Sequence, residues 1–246
     1  MGRSVEQYST AGGPECKGKT RDEEPMRDNP LMVVYRRLYD RFGPQRWWPG
    51  QTPFEVIVGA ILTQNTNWTN VEKAIGNIRD AGALSPKGLH ALAVEELAEL
   101  IRPAGYYNVK ARRLASFLDW LFDSCGGNLD ALADRNPSML REQLLEIHGI
   151  GPETADSILL YAFGMPVFVV DAYTCRILGR HRLLEGPAEY ETVREMMESL
   201  VPRDTALYNE FHALLVRLGK DYCKTRPRCQ SCPLEDLPHD VDGMDS

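Results

Sequence analysis

Two glycines one residue apart, in His148-Gly149-Ile150-Gly151, separate two stretches of helical apolar periodicity, residues 138–147 and 153–163. Glycine at both places lets the chain turn tightly and leaves backbone N–H groups free in front of the second stretch. Such a corner suits a phosphate. A plain helical hairpin with a glycine C-cap has the same pattern. Downstream, the apolar run Val167–Val170 ends at Asp171, a carboxylate with one side buried and a good N-cap for a helix from Ala172. Trp47, Trp48 and Trp68 are large hydrophobes, and tryptophan is a core residue first. Two adjacent tryptophans on a loop cannot both point inward, so at least one faces a cleft. Of the six cysteines, Cys223, Cys229 and Cys232 cluster, whereas Cys16, Cys125 and Cys175 are scattered. That distribution argues for reduced thiols with one metal site rather than a disulfide framework.

The elements that must position these residues are helical almost throughout. Asn29 as N-cap and Pro30 at the first helical position open a helix through Phe42. Further helices are expected at 54–63, 68–80, 92–101, 108–124, 138–147, 153–164, 172–181, 188–200 and 205–219, with Val167–Val170 as a connector. The class is all-α. Residues 1–28 are polar and aperiodic, so they are expected to be a disordered tail, and 239–246 form a second tail. No apolar run approaches the roughly 20 residues of a membrane span, and the N-terminus has no apolar core of a signal peptide, which implies a soluble cytoplasmic protein. The formal net charge of −7 counts against a nucleic-acid partner. Basic residues nevertheless gather at Lys110-Ala111-Arg112-Arg113, at Arg176, Arg180 and Arg182, and from Lys220 to Arg228; each cluster reads equally well as a solvated helix face.

The run from Ser138 to Asp171 resembles the helix-hairpin-helix motif of the endonuclease III superfamily of DNA glycosylases, in which a catalytic Asp follows the second helix at about this distance. Trp47-Trp48-Pro49, Phe54 and Leu62-Thr63-Gln64-Asn65-Thr66-Asn67-Trp68, together with Arg102-Pro103-Ala104-Gly105-Tyr106-Tyr107-Asn108 and Lys110-Ala111, are similar to the 3-methyladenine glycosylase branch of that superfamily. The resemblance covers residues 29–235. It implies two lobes with the active cleft between them: a bundle from the middle of the chain, and a lobe joining the N-terminal helix to the C-terminal segment. It also implies a monomer acting on duplex DNA that carries a damaged base.

Residue by residue, the resemblance implies that Asp171 stabilises the positive charge that builds on the sugar as the base leaves, and activates water. His148, Gly149, Ile150, Gly151 and Thr154 hold the DNA backbone, with a monovalent cation at the hairpin, and Gln64 enters the gap left by the flipped nucleotide. Trp47, Trp48 and Trp68 wall the base pocket, where electron-rich indoles select an electron-poor, often cationic alkylated purine. Lys220 matches a pocket lysine of the alkylation branch, whereas Leu214 stands where that branch carries a second, modified lysine. Bifunctional members carry Gly-x-Gly-x-Lys-Thr-Ala, whose lysine attacks the sugar as an amine. Glu153 replaces that lysine here and cannot form a Schiff base, so strand cleavage by that route is not expected. Cys223-x5-Cys229-x2-Cys232 resembles the superfamily's 4Fe-4S loop over 223–238, with Pro238 at the fourth ligand position. His239 or an exogenous ligand could complete a cluster; a zinc site and a vestigial loop remain open.

The sequence is therefore read as a monofunctional glycosylase for alkylated purines such as 3-methyladenine. One alternative is an endonuclease III-type enzyme with lyase activity for oxidised pyrimidines, disfavoured by Glu153 and the tryptophans. The other is a non-catalytic binder of DNA structure, which would leave Asp171 and the pocket aromatics without a task.

Overall fold

The computed structural model describes residues 29–186 and 188–240. The tail expected over 1–28, with Cys16 in it, and residues 241–246 of the second tail lie outside the described residues. The helices are α1 (Pro30–Phe42), α2 (Pro53–Leu62), α3 (Trp68–Asp80), α4 (Pro86–His90), α5 (Val94–Leu100), α6 (Tyr107–Cys125), α7 (Asp130–Ala133), α8 (Pro137–Leu145), α9 (Pro152–Ser157), α10 (Ala172–Arg180), α11 (Tyr190–Leu200) and α12 (Thr205–Asp221). A 3₁₀ turn, Arg102–Ala104, joins α5 to α6, and α9 runs into a π-helical turn, Ile158–Ala162. No strand occurs among the described residues.

Local chemistry sets most of the starts. Asn29-Pro30, Thr52-Pro53, Ser85-Pro86 and Asn136-Pro137 each place a side chain that accepts a backbone N–H directly before a proline, whose missing N–H costs nothing at the first helical position. The helices α4 and α7 were not expected, because 5 and 4 residues are too few to show a 3.6-residue period. The stretch expected as one helix over 153–164 changes hydrogen-bond pattern after Ser157.

The apolar faces gather into two cores. One is built around α2, buried on every side from Phe54 to Leu62, with α3, α5, α6, α8 and α9 against it through residues such as Ile75, Leu114, Phe117 and Leu144. The other packs α1 with α10, α11 and α12 through Leu38, Ile177, Met197, Phe211 and Leu215. Burial of each such side chain contributes about 1.5–3 kcal/mol relative to leaving it exposed. The π-helical turn belongs to both, with Ile158 and Leu159 in the first core and Leu160 in the second. The connector crosses the seam likewise, at Val167 and Phe168. No helix among the described residues is long and apolar enough to cross a membrane.

A polar network fixes that seam. Asp156 on α9 is fully buried; Arg141 from α8 grips it as a fork, Nε to Oδ1 at 2.6 Å and Nη2 to Oδ2 at 3.1 Å, and the Tyr190 hydroxyl donates to Oδ2 at 2.8 Å. Burial pushes the Asp156 carboxyl up, and Arg141 and Tyr190 pull against it. Arg141 also reaches Glu191 at 2.6 Å. Arg194 continues the network to Glu198, whose carboxylate accepts the Phe168 N–H at 2.9 Å. The connector that leads to Asp171 is thus held from α11.

Asp156→Asn keeps the shape and removes the charge, leaving the half-buried Arg141 with Glu191 as its one anionic partner. Urea unfolding is expected to show a loss of about 3 kcal/mol, the low end for breaking a buried pair. An unchanged midpoint would mean that the network does not hold the seam.

Candidate active site

Asp171 closes the connector and caps α10. Its Oδ1 accepts the Thr174 N–H at 2.7 Å and the Thr174 hydroxyl at 2.9 Å. That leaves Oδ2, which faces Nε2 of His212 at 3.6 Å, beyond hydrogen-bond distance but close enough for direct electrostatic contact. The Asp171 side chain is 11% exposed. Burial by itself would push this carboxyl up; the His212 imidazole and then the Thr174 donors outweigh it and hold the carboxyl below its ordinary value. A depressed carboxyl contributes stability above its unfolded value, near pH 3.9, and loses it as pH falls through the folded one. Asp171 is therefore ionised at neutral pH.

The tryptophans lie on the same side. The Tyr161 hydroxyl is hydrogen-bonded to Nδ1 of His212, and the Trp48 ring lies against Tyr161 with centroids 5.1 Å apart. Trp48 meets Trp47 edge-on at 5.5 Å and Trp68 at 5.3 Å. Lys220 is exposed, with Nζ 5.7 Å from the centre of the Trp47 ring. Gly59 on α2 makes room for this cluster: a Cβ there would stand 3.3 Å from Trp48 Nε1 and 3.4 Å from the Trp68 ring. All three tryptophans are half-buried, so neither of the adjacent pair is a simple core residue. Leu214 is fully buried in the second core. Glu153 stands at the exposed N-terminal turn of α9, where loss of surrounding water and then the Asp171 charge push its carboxyl up.

At the hairpin the two glycines differ. Gly149 has φ +87°, and a Cβ there would lie 2.2 Å from Cγ of Arg113. Gly151, the N-cap of α9, has open space around it. Gln64 lies against the hairpin: its Nε2 donates to the Gly149 carbonyl at 3.0 Å and to the Thr154 hydroxyl at 2.9 Å, while Oε1 accepts from Arg113. Thr154 and Ile150 are buried, so their side chains brace the hairpin; His148 is exposed.

Two members of the basic clusters are not on a surface. Lys110 is buried, and its ammonium donates to the carbonyls of Leu62 at 2.9 Å and Ala104 at 2.8 Å, closing the end of α2 against the 3₁₀ turn. Burial, then Arg113, pulls its pKa down to about 8. Arg180 is also buried and donates to the carbonyls of Lys224 at 2.6 Å and Thr225 at 3.0 Å. It thereby fastens the cysteine loop to α10.

Cys223, Cys229 and Cys232 line one cavity of about 20 Å³ with His181 and His239 at its edge. The donor types suit iron or zinc. The space, however, holds little more than one water, and among the described residues no three His, Cys, Asp or Glu side chains converge closely enough to hold an ion. Arg180 Nη1, 3.4 Å from the Cys223 sulfur, already directs a donor at it. In this arrangement the loop does not fit a four-iron cluster.

Sequence periodicity had no means of finding His212 or Tyr161. His212 lies on α12 in an apolar stretch, Phe211–Val216, and its partner Tyr161 is 51 residues away.

Residues 58–203 match the family model described as the HhH-GPD superfamily base excision DNA repair protein. A Methanocaldococcus jannaschii protein named as a DNA repair glycosylase is 43% identical over 208 residues, covering 84% of this chain and 94% of the relative. Endonuclease III of Thermotoga maritima is 31% identical, covering 74% of this chain and 81% of its own. Among solved structures, the 3-methyladenine DNA glycosylase of H. pylori bound to 1,N6-ethenoadenine superposes with a TM-score of 0.67 at 28% identity, over 77% of this chain and 97% of that one.

The hairpin geometry separates its two glycines experimentally. Gly149→Ala must displace Arg113 and adopt a strained backbone, so unfolding should show a loss of about 1–3 kcal/mol, with weaker duplex binding as the hairpin backbone is distorted. Gly151→Ala should change stability by no more than about 0.5 kcal/mol. Equal losses in the two variants would contradict the assigned geometry.

Proposed function

Because the chain belongs to the HhH-GPD superfamily of base excision DNA repair proteins, we propose that it is a monofunctional DNA glycosylase releasing alkylated purines such as 3-methyladenine from duplex DNA. The observation that carries this proposal is the Asp171 carboxylate, connected through His212 and Tyr161 to three clustered indoles; Glu153 at the sequence position of the bifunctional members' lysine supports it.

The chemistry follows from the charges. A 3-alkylated adenine carries positive charge, and stacking against Trp47, Trp48 or Trp68 favours it over a neutral base. As the bond from C1′ to the base nitrogen lengthens, its electron pair leaves with the base, which becomes neutral, and positive charge moves to the sugar. Oδ2 of Asp171 faces that charge, while Oδ1 stays fixed by Thr174. A water then adds to C1′ and gives its proton to Asp171, leaving an abasic site. The hairpin His148-Gly149-Ile150-Gly151 would hold the phosphate backbone, with a monovalent cation as its partner, and Lys220 would border the base. Gln64 must leave its seat on Gly149 and Thr154 to fill the gap in the duplex. The protein would work as a cytoplasmic monomer, and no step here passes through the cysteine loop.

The relationship to endonuclease III of Thermotoga maritima favours a second reading, a glycosylase with lyase activity. Glu153 weighs against it, since a carboxylate forms no Schiff base.

Asp171→Asn retains an N-cap and loses the charge. Base release from methylated duplex should fall at least tenfold, or about 1.4 kcal/mol of barrier, with duplex affinity within a few-fold of wild type. A variant that kept more than about a tenth of the rate would show that Asp171 does not carry the reaction.

A further inference from the structure

On the premise that Asp171 is the acting carboxylate, we infer that His212 is its positioning residue, anchored by Tyr161, and that this pair joins the aromatic wall of the cleft to the carboxylate.

His212 is 5% exposed, so each of its ring nitrogens needs a partner. Nδ1 has one, the Tyr161 hydroxyl. Nε2 is buried, has no hydrogen-bond partner, and points at Oδ2 of Asp171 across 3.6 Å. A buried ring nitrogen left unsatisfied is costly, and a small rotation of either side chain would close this gap. Asp171 cannot drift away, because Thr174 holds its other oxygen. The imidazole therefore fixes the oxygen that Thr174 leaves free.

Tyr161 lies in the π-helical turn, where each carbonyl is matched one residue later than in an α-helix and the following side chains swing to a new direction. From there the ring touches Trp48 on one side and His212 on the other. A continuous path results, from Trp48 through Tyr161 and His212 to Asp171. The other ionisable groups facing Asp171 are Glu153 from α9 and Cys175 from its own helix. The Asp171 charge pushes the Glu153 carboxyl up, whereas the His212 contact pulls the Asp171 carboxyl down.

Three variants test this: His212→Leu, which removes the ring nitrogens; His212→Gln, which keeps a donor at about the same reach; and Tyr161→Phe, which leaves Nδ1 without its partner. The first readout needs no substrate: the Asp171 carboxyl is titrated by carbon NMR in DNA-free protein. His212→Leu should raise its midpoint, Tyr161→Phe should raise it less, and His212→Gln should restore most of the wild-type value. The second is single-turnover base release from damaged duplex against pH. The acid limb should move up in the same order, and His212→Leu should be slower by about ten- to a hundredfold with duplex affinity unchanged. A midpoint in His212→Leu equal to wild type overturns the inference, as does an unmoved midpoint in Tyr161→Phe should the leucine variant not fold. A moved midpoint with an unchanged acid limb also overturns it. If wild-type protein releases no alkylated purine, the proposed substrate fails, and the carboxyl titration alone decides the role of His212.

Discussion

The hydrogen bonds from Thr174 to one oxygen of Asp171 set the geometry of the candidate site. They start α10, and in doing so they divide the carboxylate into an oxygen that belongs to the fold and an oxygen that faces the site. A carboxylate free to rotate in a partly dry cleft would exchange its oxygens and tend to take up a proton. Capping fixes the orientation, and the His212 imidazole followed by the Thr174 donors keeps the carboxyl ionised. The helix thus gains its N-cap from the carboxylate that the proposed chemistry would use, and the two roles are compatible.

For the cap to sit in the cleft, the connector before it must cross between two cores at a fixed height. Val167 goes to the first and Phe168 to the second. Apolar burial alone would tolerate sliding by a residue, because the run Val167–Val170 is uniformly apolar. The polar network supplies register: Glu198 takes the Phe168 N–H, Tyr190 takes the Val170 N–H at 3.4 Å, and both connect to Arg141 or Asp156 on the hairpin side. The hairpin, which would hold DNA, and the carboxylate, which would act on it, are therefore referenced to the same buried ion pair. On the other side of the cleft, Gln64 and Arg113 connect the hairpin to α2 and α6.

Much of this was legible in the sequence wherever the signal is local. Asn29-Pro30 announces α1, and the helix begins there. The glycine pair, Asp171 and the tryptophans form linear motifs whose spacing carries meaning. What stayed hidden depends on contacts between distant residues. The π-helical turn has no residue signature, since residues 153–163 read as one apolar helical pattern. His212 and Tyr161 meet only because α12 packs on that turn. Lys110 and Arg180 look like surface charge in the sequence, but their partners are carbonyls at the ends of other segments, which charge counting cannot reveal. The cysteine spacing suggested a metal loop but could not reveal that Arg180 fastens that loop to α10.

The proposed reaction releases a charged purine rather than an oxidised pyrimidine, with water rather than an enzyme amine attacking the sugar. Wild-type protein should be compared on two otherwise identical duplexes, one carrying 3-methyladenine and one carrying thymine glycol, with the released base and the strand both followed in a single turnover. Free 3-methyladenine, an abasic strand that stays intact until alkali is added, and no adduct trapped by borohydride are expected. Release of thymine glycol with strand cleavage and a borohydride-trapped adduct would contradict the proposed reaction.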